Sequence, residues 1–216
     1  MQTLKTALRL WLLALTLALP LWATPIELGI EADFKQSSKQ TFVQHRQPYT
    51  LAIDLPNEPY EHLRLKLQQS LGFPLRRFEG WKQTGESHLT VVTPPEYNQV
   101  LSRFLSEDEI DGIAKSLELQ QSDIVGLGLG TGQVTVQGEV QQTFFLIADS
   151  SKARQVRHAI HQAYVSKGGR ASDWDPSWYF PHVTVGFTHS DIHEHQGLLK
   201  SIKHSWDHRF LLIPSP

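Results

Sequence analysis

Twice along this chain of 216 residues the same order of pieces recurs: an apolar strand, an amphipathic helix, a polar loop, and a second strand carrying His-x-Thr. The first unit runs from a strand over 49–55, ended by Pro56, through a helix over 58–71 to a strand over 88–93. Tyr60, Leu63, Leu67 and Leu71 return at helical spacing, and Gly72 stops them. The second unit runs from a strand over 144–148 through a helix over 152–167 to a strand over 180–187. Its helix has a stripe of Ala153, Val156, Ile160 and Ala163, a cap at Asp149-Ser150-Ser151, and an end at Gly168-Gly169. Such a chain must bury one face of each sheet under a helix. The expectation from the repeat is an α+β fold of two related, pseudo-symmetric strand–helix–strand lobes about a pseudo-two-fold axis.

The remaining pieces fit around these units. Residues 24–48 read as an extended N-terminal segment, and 49–216 as a single bilobal domain, lobe one over 49–140 and lobe two over 141–216. The stretch 94–138 looks inserted. It holds a short helix over 96–105, then a second helix to about 117 that Ser106 and Glu109 open as a capping box. From Ile124 the pattern turns to strands, and Gly126, Gly128, Gly130 and Gly132 read as a tight turn between them. The tail beyond Asp191 predicts one helix and a last apolar stretch over 210–213.

Residues 1–23 have the layout of a signal peptide. Lys5 and Arg9 precede an apolar run over 10–19, Pro20 breaks it, and Ala23 offers a small residue for cleavage. The run is short for a membrane span. Cleavage after Ala23 and a periplasmic or secreted protein are expected, the alternative being an uncleaved anchor. The chain has no cysteine, which excludes disulfides, thiolate metal sites and a cysteine nucleophile. Its formal net charge of -2 offers no basic face for long nucleic acid.

The chemistry lies in the two strands His88-Leu89-Thr90-Val91 and His182-Val183-Thr184-Val185. Alternate residues of a strand share a face. Each strand therefore puts its apolar pair into a core and presents an imidazole beside a hydroxyl. Side by side, the strands bring two His and two Thr to one cavity. One neutral imidazole can take a proton from water or a ribose hydroxyl while the other, as imidazolium, protonates the leaving oxygen. The Thr hydroxyls can donate to phosphate oxygens. A His-x-Thr flanked by apolar residues arises by chance at about 1% of His positions. Eleven His are present, so two copies in matching strands are not accidental.

These motifs resemble those of the 2H phosphoesterase superfamily, named for its paired His-x-Thr-x signature. Tyr179-Phe180-Pro181-His182-Val183-Thr184-Val185 is similar to the second motif of the bacterial RNA ligase-like and 2′,3′-cyclic phosphodiesterase branch, and Ser87-His88-Leu89-Thr90-Val91 matches the first. The resemblance covers about 49–187. It implies a bilobal fold whose antiparallel sheets flank a central cleft, His88 and His182 as catalytic residues, and Thr90 and Thr184 as phosphate ligands. It also implies metal-independent hydrolysis of a cyclic phosphate or phosphodiester, such as a 2′,3′-cyclic nucleotide or a short RNA end, commonly leaving a 2′-phosphate. No metal or cofactor is expected. The expected partners are a small nucleotide or short oligonucleotide end, without long nucleic acid or a membrane, and the protein is expected to be a monomer. The alternative is a non-catalytic module that binds a nucleotide or phosphate ligand.

Other residues invite weaker readings. Phe180 and Tyr49 are candidates for substrate contact, and Trp178 and Tyr179 flank the second motif. Arg76, Arg77, Lys82 and Arg170 could line a phosphate cleft. His193-Glu194-His195 lacks a third metal ligand, and His158 and His161 read as helix surface. Asp173-Trp174-Asp175 is not a carboxylate dyad.

Overall fold

Strand pairing sorts the chain into two three-stranded sheets and one two-stranded sheet. The computed structural model describes residues 24–30, 44–77 and 87–214; the predicted signal peptide and Lys82 lie outside the described residues. The first sheet has the order β2-β3-β4, from His45–Arg46, Tyr49–Leu55 and Ser87–Val92. Helix α1, Asn57–Leu71, connects β3 to β4 and buries Tyr60, Leu63 and Leu67. Gly72 ends it in the left-handed conformation at φ 75°, its N–H donating to the Gln68 carbonyl. Ile53, Leu63, Leu67 and Leu89 are all but inaccessible, and each such side chain contributes about 2 kcal/mol by leaving water.

The second sheet has the order β5-β6-β7, from Val125–Val136, Glu139–Asp149 and His182–Phe187. Helix α4, Ser151–Ser166, joins β6 to β7; the Ser150 hydroxyl caps it by accepting from Ala153 N–H. Both sheets are antiparallel throughout. The α+β class with antiparallel sheets is what the structure has, and strand–helix–strand recurs in β3-α1-β4 and β6-α4-β7.

Strand β5 corrects two expectations. It pairs with β6 along its whole length, so it belongs to the second sheet rather than to lobe one. Its glycines lie inside the strand and do not form a turn. A Cβ on Gly130 would stand 2.3 Å from the Phe145 ring opposite, and one on Gly132 would stand 2.4 Å from Leu198. The glycines therefore make room for side chains crossing the strand. The reversal comes later, at Gln137 and Gly138, both at positive φ (52° and 85°), as a two-residue hairpin requires.

Between the sheets' chain segments, α2 (Pro94–Gln99) and α3 (Glu107–Ser116) each open on a capping box, Thr93 with Glu96 and Ser106 with Glu109. The short helix expected to reach residue 105 stops at Gln99 and continues as a single 3₁₀ turn, Leu101–Arg103. The tail yields a short helix, α5 (Ile202–Ser205), and β8 (Phe210–Pro214). Strand β8 pairs in parallel with β1 (Ile26–Ile30), so part of the N-terminal segment is held by the far end of the chain.

Candidate active site

Strands β4 and β7, each an edge of its own sheet, lie against one another. In β4, His88 stands opposite Asp54 and Thr90 opposite Ala52. In β7, His182 stands opposite Ile147 and Thr184 opposite Phe145. In both strands the ladder skips the residue after the Thr: Thr90 and Val92 pair with successive residues of β3, and Thr184 and Gly186 with successive residues of β6. Val91 and Val185 are thus the extra residues of two bulges placed alike. Leu89, Val91, Val183 and Val185 are buried, as the alternation predicts.

One small cavity, of about 20 Å³, takes His88 from the first motif and Thr184 from the second, with Tyr60, Glu61, Arg77 and Ser87 in its wall. That volume holds about one water. A broader groove of about 660 Å³ adjoins it, sharing Glu61 and Arg77 and adding Arg64, Arg76 and His189. Arg76 reaches this position because residues 75–76 lie across the outer side of β7. Arg76 exchanges both backbone hydrogen bonds with Phe187, at 2.8 and 3.0 Å. A Cβ on Gly186 would meet the Arg76 carbonyl oxygen at 3.1 Å, so glycine permits that approach.

Burial leaves both imidazoles neutral. Desolvation pushes His88 down to about 4, against the pull of Asp54 and Asp191 and with help from His45 and Lys200. Desolvation, reinforced by Lys200, pushes His182 down to about 3. The His182 Nδ1 lies 2.8 Å from the Phe180 carbonyl oxygen. That oxygen can only accept, so Nδ1 carries the proton and Nε2 keeps its lone pair. The His182 ring also meets Phe145 edge-on, with centroids 5.8 Å apart.

Several residues that the sequence reading missed surround the motifs. The buried Asp54 accepts from His45 Nε2 at 3.0 Å on one oxygen, and its other oxygen has no hydrogen-bond partner among the described residues. Asp191 accepts from the Thr184 hydroxyl at 2.9 Å, from the Thr143 hydroxyl at 2.6 Å, and from Lys200 at 2.7 and 2.9 Å. Although burial opposes its charge, Lys200 and these hydrogen bonds hold the Asp191 carboxyl down to about 2. In this arrangement the Thr184 hydroxyl donates to Asp191 rather than into the cavity. Arg157, on α4 and fully buried, donates to the Val91 carbonyl at 2.7 Å, the Pro176 carbonyl at 2.9 Å and Glu96 at 2.9 Å. Its guanidinium packs on the Trp174 and Tyr179 rings.

The weaker candidates separate. Tyr49 is not at the cleft: it is buried, its hydroxyl donates to Asp111 at 2.9 Å, and its ring packs on Tyr97, because β3 sits between β2 and β4 with α2 and α3 packed against it. Phe180 is half-buried, packs on Trp178, and meets the site through its carbonyl. Tyr179 is buried and Trp178 exposed, the indole N–H of Trp178 donating to Glu194. Arg77 reaches the cavity, whereas Arg170 is exposed and paired with Asp173. His193 and His195 stack on each other. Among the described residues no group of three or more His, Asp or Glu is arranged to hold a metal.

The family model described as "Swiss Army Knife, 2H phosphoesterase domain" matches residues 51–193, so the chain belongs to the 2H phosphoesterases. The match contains both motifs and supports a phosphoesterase function. Comparisons with curated proteins and with solved structures found no match.

Proposed function

We propose that this protein is an exported phosphodiesterase that hydrolyses a cyclic phosphate, a 2′,3′-cyclic nucleotide or the cyclic end of a short RNA, by paired-His acid–base catalysis. The observation that carries this reading is the shared cavity, which takes His88 from one motif and Thr184 from the other. Water attacks phosphorus and gives its proton to one imidazole. The bond from phosphorus to the leaving ribose oxygen breaks, and that oxygen takes a proton from the other imidazole. The two His then exchange protons with solvent to restore the starting state. Thr90 and the basic edge at Arg77 hold the non-bridging oxygens. Motif identity around His182 favours the RNA ligase-like branch, and the N-terminal apolar run supports export.

The test is turnover of 2′,3′-cyclic nucleotides by the purified protein in EDTA, followed by phosphorus NMR. The expected result is one phosphomonoester product, with loss of at least about a hundredfold in His88→Ala and in His182→Ala. Full activity in either variant overturns the mechanism. N-terminal sequencing of exported protein checks cleavage after Ala23.

A further inference from the structure

Beside His182 lies a buried ammonium that the two motifs do not explain. Lys200, in the loop before α5, is only 4% exposed. Its Nζ donates to both oxygens of Asp191 and stands 5.3 Å from the centroid of Phe145, the ring that His182 also meets. With the hydroxyls of Thr143 and Thr184, three donor groups make four hydrogen bonds to the carboxylate, two to each oxygen. The pair is therefore locked in place on the strand face that presents His182 and Thr184. Burying two charges is costly, and an apolar pair of the same volume often serves stability as well.

Resting on the phosphoesterase reading above, we propose that the Lys200–Asp191 pair fixes the direction of proton transfer, holding His182 as the neutral base and leaving His88 as the acid. The charged and titratable groups around His182 are Lys200 and Asp191 from the loop beyond β7, and His88 from β4. Lys200 opposes a proton on His182 more strongly than Asp191 invites one. The Nδ1 bond to Phe180 leaves Nε2 ready to accept. His88 faces Asp54 from β3, His45 from β2, and Asp191 and Lys200 at longer range. Among these, the Asp54 carboxylate acts most strongly in favour of an imidazolium, and it stands directly opposite His88 with one oxygen unbonded among the described residues. The proton taken from water thus goes to His182 Nε2, and the leaving oxygen takes its proton from His88. Lys200 is a positioning residue that acts through His182.

Two comparisons test this. An aryl phosphodiester with a p-nitrophenolate leaving group needs no acid. His88→Ala should recover at least about tenfold on that substrate relative to a cyclic nucleotide, whereas His182→Ala should not. The reverse pattern overturns the assignment. Lys200→Met should raise the acid limb of the kcat/KM profile by about one pH unit or more, and Lys200→Arg should restore it. The double variant Lys200→Met/Asp191→Asn leaves no unpaired buried charge, and its limb should also rise. A limb that stays put in a folded variant, with only the rate reduced, overturns the role of Lys200. NMR titration of the His182 ring in wild type and the double variant reads the same shift without turnover. An unchanged titration sinks this proposal, while absence of turnover by folded wild type on both substrates sinks the reading beneath it.

Discussion

The Tyr179 hydroxyl donates to the backbone carbonyl of Thr90 at 2.9 Å. The residue three places before His182 thereby holds the strand that presents His88, and this bond sets the two motifs against each other. Burial pushes the phenol well above its ordinary value, so it donates across the working pH range. Tyr179→Phe should cost about 1 kcal/mol in denaturant unfolding. It should lower kcat more than it raises KM, because it loosens the spacing between the imidazoles.

Stability should fall as the solution is acidified. His88 and His182 are held well below the ordinary histidine value, so between about 6.5 and their folded values the unfolded chain binds more protons than the folded one. The stabilisation they provide is complete above about pH 6.5 and is lost as pH falls towards about 4 and then about 3. The span at His88 alone corresponds to about 3 kcal/mol. Urea melts from pH 7 to pH 4 should show this slope, and His182→Phe should flatten it.

Anion binding should draw in a proton. Burial holds both imidazoles neutral, and a phosphate beside them favours the imidazolium. Titration calorimetry with a 2′-nucleotide near pH 6, in buffers of different ionisation enthalpy, should report net proton uptake. Binding without linked uptake would mean that the anion sits away from the His pair.

Gly130→Ala should damage the site from β5, two strands away from His182. The new Cβ would drive into the Phe145 ring, which His182 and Lys200 both meet. Overpacking of this kind costs about 1–3 kcal/mol. Activity should drop further than stability explains, whereas Gly112→Ala, on an exposed turn of α3 with open space around it, should leave activity unchanged and raise stability by about 0.5–1 kcal/mol.

Arg157→Met should destabilise by about 3–5 kcal/mol, since it leaves Glu96 and the Val91 carbonyl without their cation. Lys at the same place should recover little, because one ammonium cannot reproduce the fan of donors. Thermal melts of both variants check this.

Much of the frame was legible because its signals are local. The stripe of Tyr60, Leu63 and Leu67 is read from helical spacing, the Ser106–Glu109 box from two residues three apart, and the His-x-Thr faces from alternation within one strand. What escaped depends on residues far apart in sequence. Nothing near Lys200 announces that Asp191 will meet Thr143 and Thr184 at once. Asp54 reads as an interruption of an apolar strand until its register sets it opposite His88. Tyr49 reads as a cleft residue until α3 brings Asp111 to its hydroxyl. The glycines of β5 look like a turn because a sequence does not show the rings and the leucine that occupy their missing side chains.

The bonds made by Arg157 bear on how this enzyme can be cut. One guanidinium, carried by the helix of the second unit, reaches the carbonyl of the bulge residue in the first. A fragment ending before that helix would expose this carbonyl and Glu96 with no cation to meet them. The repeated units are therefore not interchangeable modules. Two separately expressed halves should regain structure only when mixed, and a permuted chain should tolerate new ends at the hairpin of Gln137 and Gly138 sooner than anywhere within α4.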